Sequence, residues 1–175
     1  MSTHDVGGDS RRRRARLAAL HYLYAAEMQN HAFKPHELRA GILEYWRDEL
    51  PVPPAAGIDL AFFDALVAGC YVARADLDEM IALYLASNWK LSRIDILMRD
   101  LLRLGVFELA VRKDVSFATI LDEYIDVAKC YFNDAEAAFV NGLLDNVAKA
   151  LRAEEKEARA AAMRIALAAQ AEEEK

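Results

Sequence analysis

The stretch LSRIDILMRDLLRLGVFELAV, residues 91–111, begins like a helix and is then apolar on nearly every side. Ser92 can cap its first turn with Asp95 three residues on, and Leu91 can staple to Ile96 across that cap. Beyond the cap, Ile94, Leu97, Met98, Leu101, Leu102, Leu104, Val106, Phe107 and Leu109 fill more than one stripe at helical spacing. No single solvent-facing orientation hides them all, so this helix is expected at the centre of the fold. Its charges, Arg99, Asp100, Arg103 and Glu108, must then surface between neighbouring helices, where buried charge requires partners.

Outward from that segment the chain continues in helical patterns. On the N-terminal side, residues 1–9 are polar with a Gly pair and are expected to be disordered. Ser10 opens a first helix with an inward stripe of Leu17, Leu20, Tyr24 and Met28. Asn30 and His31 mark a turn. Pro35 suits the first position of a second helix carrying Leu38, Ile42, Trp46 and Leu50, which Pro51, Pro53 and Pro54 end. Asp59 caps a long pattern running to about Ala86, with room for a bend near Gly69 or between Ala73 and Asp76. On the C-terminal side, Ser116 caps a helix burying Phe117, Ile120, Leu121, Tyr124, Val127 and Ala128. Asn133 and Glu136 form a capping box for the last, with Phe139, Val140, Leu143, Leu144, Val147 and Leu151 inward. Gly142 within that helix suggests another backbone close by. From Arg152 to Lys175 the chain is Ala, Glu, Lys and Arg, a partly helical tail dispensable for the core. The expected architecture is all-α, a bundle of six to seven helices with no sheet, divided into 1–9, a domain at 10–151 and the tail at 152–175.

With 175 residues, 55% of them hydrophobic, and no proline after Pro54, one domain with a full core is expected. Cys70 and Cys130 sit in apolar helical patterns and read as buried free thiols, which fits a reducing cytoplasm. No run reaches the length of a membrane span, and nothing directs the chain to a membrane or out of the cell.

Signatures of catalysis are absent from the sequence: no glycine-rich phosphate loop, no Gly-x-Ser-x-Gly, and no His or Cys spacing suited to a metal. His4, His21, His31 and His36 read as solvated or turn residues. Asp76, Asp78 and Glu79, like Asp122, Glu123 and Asp126, read as solvated helix faces rather than paired catalytic carboxylates. The expectation is a non-catalytic protein with neither cofactor nor metal. One cluster stands out. Arg11, Arg12, Arg13, Arg14 and Arg16 crowd the start of a helix in a chain of net charge −6. Cations there oppose the helix dipole by roughly 0.3–1 kcal/mol each, so the helix's own stability does not explain them. Their planar forks suit phosphates and base edges, and Tyr24 two to three turns on can stack a base. Unpaired RNA is the natural ligand of such a surface.

The chain resembles the NusB family of bacterial transcription antitermination factors. The likeness rests on RRRRARLAALHYLY at 11–24, on WKLSRIDILMRDLLRLGVFEL from Trp89 with its Leu-Arg and Glu-Leu pairs, and on FVNGLLD at 139–145. Asp122-Glu123 and Ala128-Lys129 add to it. The resemblance implies two helical halves packed together, and binding of the boxA element of nascent RNA jointly with NusE, a ribosomal protein. It further implies loading onto the RNA polymerase antitermination complex to promote ribosomal RNA transcription. Arg12, Arg13, Arg14 and Arg16 fall on the family's arginine-rich motif, and Tyr24, Tyr84 and Phe139 fall near its RNA. The family includes monomers and homodimers, and the sequence leaves that open. It departs from the family at Ser116, Asp122, Tyr124 and Phe132. Two rivals accompany this reading: a helical protein-interaction adaptor that binds no RNA, and an accessory to an RNA methyltransferase whose catalytic half is missing here.

Overall fold

The computed structural model describes residues 6–29, 35–49 and 57–153. Their α-helices are α1 (Val6–Met28), α2 (Pro35–Glu49), α3 (Leu60–Val72), α4 (Arg74–Leu83), α5 (Ile96–Val111), α6 (Phe117–Tyr131) and α7 (Asp134–Leu151). A 3-10 turn at Leu91–Arg93 precedes α5, and no strand occurs among the described residues. The all-α expectation holds. His4, His31, the Pro51–Pro54 loop and residues 154–175 lie outside the described residues, as do the side chains of Trp46 and Leu50.

Helix α5 packs against α1, α3, α4, α6 and α7. Leu101, Leu102, Leu104 and Leu109 are fully buried on it, each worth about 1.5–3 kcal/mol relative to exposure. The central position expected of this helix is therefore observed, but its cap is not Ser92. Ile94 takes extended backbone and buries its side chain first. The cap falls to Asp95, whose carboxylate accepts the Leu97 and Met98 amides at 2.9 and 3.3 Å.

The long helix expected from Asp59 is two helices. Asp59 does cap α3, accepting the Phe62 amide at 3.0 Å, and the backbone breaks at Ala73, one of the places where the sequence left room for a bend. The break re-aims the chain so that Phe63, Leu66 and Cys70 on one side and Leu77 and Ile81 on the other all reach the core. Gly69 is required by packing: a β-carbon there would lie 1.9 Å from Cζ of Phe107 on α5. Gly142 is different. A β-carbon on it meets nothing within 4 Å, so no backbone passes close, contrary to expectation.

At the ends of the chain the structure extends the expected domain. Helix α1 starts at Val6, four residues before Ser10. Arg152, assigned to the tail by composition, is 4% exposed. Its guanidinium donates to the Leu109 carbonyl at 3.0 Å, to Val115 at 2.6 Å and to Arg112. It thereby satisfies carbonyls that the end of α5 and the following loop leave without helical partners. Ser116 caps α6 by accepting from the Thr119 amide, and Asn133 and Glu136 complete the capping box of α7. Cys70 is buried as expected, whereas Cys130 is exposed.

Candidate nucleic-acid interface

Helix α1 sorts its residues by angle. At about 100° per residue, Arg13, Leu17, Tyr24 and Met28 fall on one side, with Arg14 and His21 on its flank. The opposite side holds Ala15, Ala18, Ala19, Tyr22 and Ala26, all buried. Small alanines let α1 lie close on α3 and α5, so the core tyrosine is Tyr22 rather than Tyr24. The expected inward stripe of Leu17, Leu20, Tyr24 and Met28 is correct at Leu20 and half correct at Leu17; Tyr24 is 38% and Met28 56% exposed. Tyr24 therefore presents its ring to solvent on the face that carries Arg13.

The arginines separate on the same principle. Arg11 is exposed. Arg12 sits 3.8 Å from Asp59 and stands over the Phe62 ring at 5.8 Å. Arg13 grips Glu123 with two hydrogen bonds, 2.8 and 3.1 Å, reaches Asp126 at 3.0 Å, and keeps 46% of its side chain exposed. Arg14 donates to the Gly57 carbonyl at 3.2 Å. Arg16 is placed apart from these four. Its side chain is 3% exposed and makes a bidentate pair with Glu108 at 2.6 and 2.9 Å, plus a bond to Glu123 at 3.1 Å. Burial disfavours its charge, but the Glu108 hydrogen bond and neighbouring carboxylates outweigh that and hold its pKa above the usual value. Tyr124 donates its hydroxyl to Glu108 at 2.9 Å, and its own pKa is raised, chiefly by burial. Arg16 thus has no path to a ligand at the surface. It joins α1 to α5 and α6.

This also relocates the acidic residues. Glu123 belongs to the core, and Asp78 pairs with Arg103 at 2.6 and 2.8 Å; neither lies on a merely solvated face. Each charge of α5 has a partner, although Arg99 Nε and Asp100 Oδ2 are buried without one. Glu27 of α1 receives Arg74, Arg99 and Arg103, and Arg103 also holds Asp100 at 2.8 Å.

Tyr84 and Phe139 belong to another part of the molecule. Tyr84 is half-buried at the C-cap of α4. Phe139 on α7 stacks on Trp89 with centroids 5.7 Å apart and planes 26° from parallel. Trp89 is 51% exposed. Nothing in the spacing of the sequence indicated that pairing. Sequence reasoning also passed over Tyr45 and Tyr131, exposed rings on α2 and α6 that approach α1 through His21. Among the described residues no helix is long and apolar enough to cross a membrane.

Comparison with known proteins agrees with this architecture. The model of the NusB family matches residues 13–149. The transcription antitermination protein NusB of Novosphingobium aromaticivorans is 42% identical over 147 residues, covering 79% of this chain and 93% of that protein. That of Maricaulis maris is 36% identical over 149 residues, covering 82% and 89%. Among solved structures, T. maritima NusB superposes with a TM-score of 0.66 at 30% identity, over 83% of this chain and 96% of that one. A chain from a crystal structure of the antitermination factors NusB and NusE in complex with dsRNA superposes with a TM-score of 0.63 at 25% identity, over 79% and 96%. The match of the family model over residues 13–149 and the identity to relatives covered over most of their length place this chain in the NusB family.

Proposed function

We propose that this protein is a transcription antitermination factor that binds the boxA element of nascent RNA together with NusE. The pair would load onto elongating RNA polymerase and suppress premature termination in ribosomal RNA operons. The observation that carries the RNA assignment lies in the second and third turns of α1. There Arg11 to Arg14 present cations at the surface of an acidic chain, with Tyr24 about 16 Å further along the same helix. Arg13 already holds carboxylates in the bidentate geometry a phosphate would use. The family membership and the NusB–NusE complex with RNA in a structural neighbour support the partner assignment.

The test is binding of a labelled boxA-type RNA at two salt concentrations, with and without the ribosomal-protein partner. We expect the partner to strengthen binding. Log affinity should fall with log salt at a slope of about −2 to −3.5, as neutralisation of three to five phosphates on a single strand requires. The triple variant Arg12→Ala, Arg13→Ala, Arg14→Ala should lose most of the affinity while melting cooperatively. Unchanged binding in that variant, or a flat salt response, would remove α1 as the RNA site. Failure of the wild type to bind RNA under every condition would favour an adaptor that contacts proteins alone.

A further inference from the structure

Resting on the RNA-binding reading above, we propose that Tyr131 and Tyr45, bridged by His21, continue the site as a base-stacking floor for unpaired RNA. The observations start from how α1 and α6 run. Arg13 meets Glu123 and Asp126, and His21 meets Tyr131. A step of eight residues along α1 therefore matches a step of five to eight along α6, so the two helices run side by side in the same direction. A strand with a phosphate at Arg13 that follows this seam passes His21 and Tyr131 roughly 12 Å further on.

At that place the rings are ordered by one another and open to solvent. His21 Nε2 lies 2.7 Å from the Tyr131 hydroxyl. Its ring meets Tyr131 edge-on at 5.7 Å and approaches Tyr45 of α2 at 6.2 Å. Tyr131 is 38% and Tyr45 51% exposed, with Tyr24 three positions beyond His21 on α1. Burial lowers the pKa of His21, so near neutrality it bridges the rings as a neutral imidazole. Three tyrosines from three helices thus flank the face of α1 that carries Arg13. Ring faces at the end of a phosphate grip accept unpaired bases of any sequence, because every base has a π-face. A base pair inside a duplex offers no such face, so the chemistry selects single strands.

The experiment uses the full chain with its ribosomal-protein partner and three RNAs of equal length: an unpaired boxA-type strand, the same strand in a duplex, and a strand with abasic sites. Wild type should prefer the unpaired strand. Tyr131→Ala and Tyr45→Ala should each weaken that strand by about tenfold, the range of one lost base stack. Both should leave the abasic strand unaffected and so erase the preference. Tyr131→Phe keeps the ring and its edge contact with His21 but loses the hydroxyl bond, and should retain most of the binding that Tyr131→Ala loses. With 5-iodouridine in the strand, irradiation should attach it to Tyr131 or Tyr45. If both alanine variants bind all three RNAs as wild type does, and the crosslink maps elsewhere, the stacking floor is wrong while the arginine site stands. If wild type binds none of them, the RNA reading itself falls, and this inference with it.

Discussion

Arg13 and Arg16 lie three positions apart on one helix and share one carboxylate, Glu123, yet they belong to different parts of the molecule. Arg13 reaches Glu123 from the rim and keeps nearly half its side chain in water; Arg16 reaches it from inside and keeps almost none. Three positions rotate a helix by about 300°, enough to carry the second guanidinium from the solvent face to the seam with α5 and α6. An arginine-rich motif is therefore not one functional unit. Its last member joins α1 to α5 and α6, while Arg11 to Arg14 keep their side chains at or near the surface.

The comparison breaks most visibly at Glu108, which is fully buried. Removing it leaves Arg16 charged without its main acceptor, so Glu108→Ala should cost about 3–5 kcal/mol of stability in urea unfolding. The triple replacement Arg16→Met, Glu108→Leu, Tyr124→Phe deletes the whole buried group and should recover most of that loss. Its RNA affinity is the sharper measurement. Retained affinity would confirm Arg16 as a structural residue, and loss of affinity in a stable triple variant would return Arg16 to the RNA site.

A second buried group differs from the first in being incompletely matched. Asp100 shares Arg103 with Asp78 and Glu27, and its Oδ2 is buried without a hydrogen-bond partner. Burial first, then the charge of Glu27, raises its pKa to about 7. Between the ordinary carboxylate value of 3.8 and that point, the folded state binds more protons than the unfolded one. Asp100 therefore makes stability fall as pH rises through that window. Asp100→Asn should flatten this slope in melting curves taken from pH 4 to pH 8. An unchanged slope would show that other groups set the pH dependence.

The sequence alone revealed the elements through local chemistry. Ser116, Asn133 with Glu136, and the apolar density of α5 each speak within a few residues, and the structure agrees at all three. The misreadings arise where a distant contact decides. Alanines on α1 carry no hydrophobic signal strong enough to outvote Leu17 and Met28, yet close packing chooses them. The break at Ala73 falls where the sequence left room for a bend, but only the fold makes it a division into two helices. Glu123 and Arg152 look like surface residues until the buried groups they satisfy, Arg16 and the carbonyls after α5, are brought to them. For the candidate site, the arginine run and Tyr24 were legible. The division between Arg16 and its neighbours, and the rings of Tyr45 and Tyr131, depend on how α1 is rotated against α2 and α6.

The smallest effects test whether Arg13 is a ligand residue at all. Arg13→Ala removes a half-exposed ion pair and should change stability by no more than about 1 kcal/mol. It should also weaken RNA and reduce the salt slope by about 0.7, the share of one phosphate on a single strand. Asp126→Ala acts in the opposite direction. Asp126 holds Arg13 at 3.0 Å with its own carboxylate half exposed, so its loss removes a competitor for the phosphate. Affinity should rise slightly while stability stays within about 0.5 kcal/mol of wild type. If Asp126→Ala instead weakens RNA, the carboxylate is aiming the guanidinium rather than competing for it, and Glu123 and Asp126 together form the cradle that presents Arg13. That result would tie the two arginines together again, because Glu123, the other half of that cradle, is the carboxylate Arg16 holds from within.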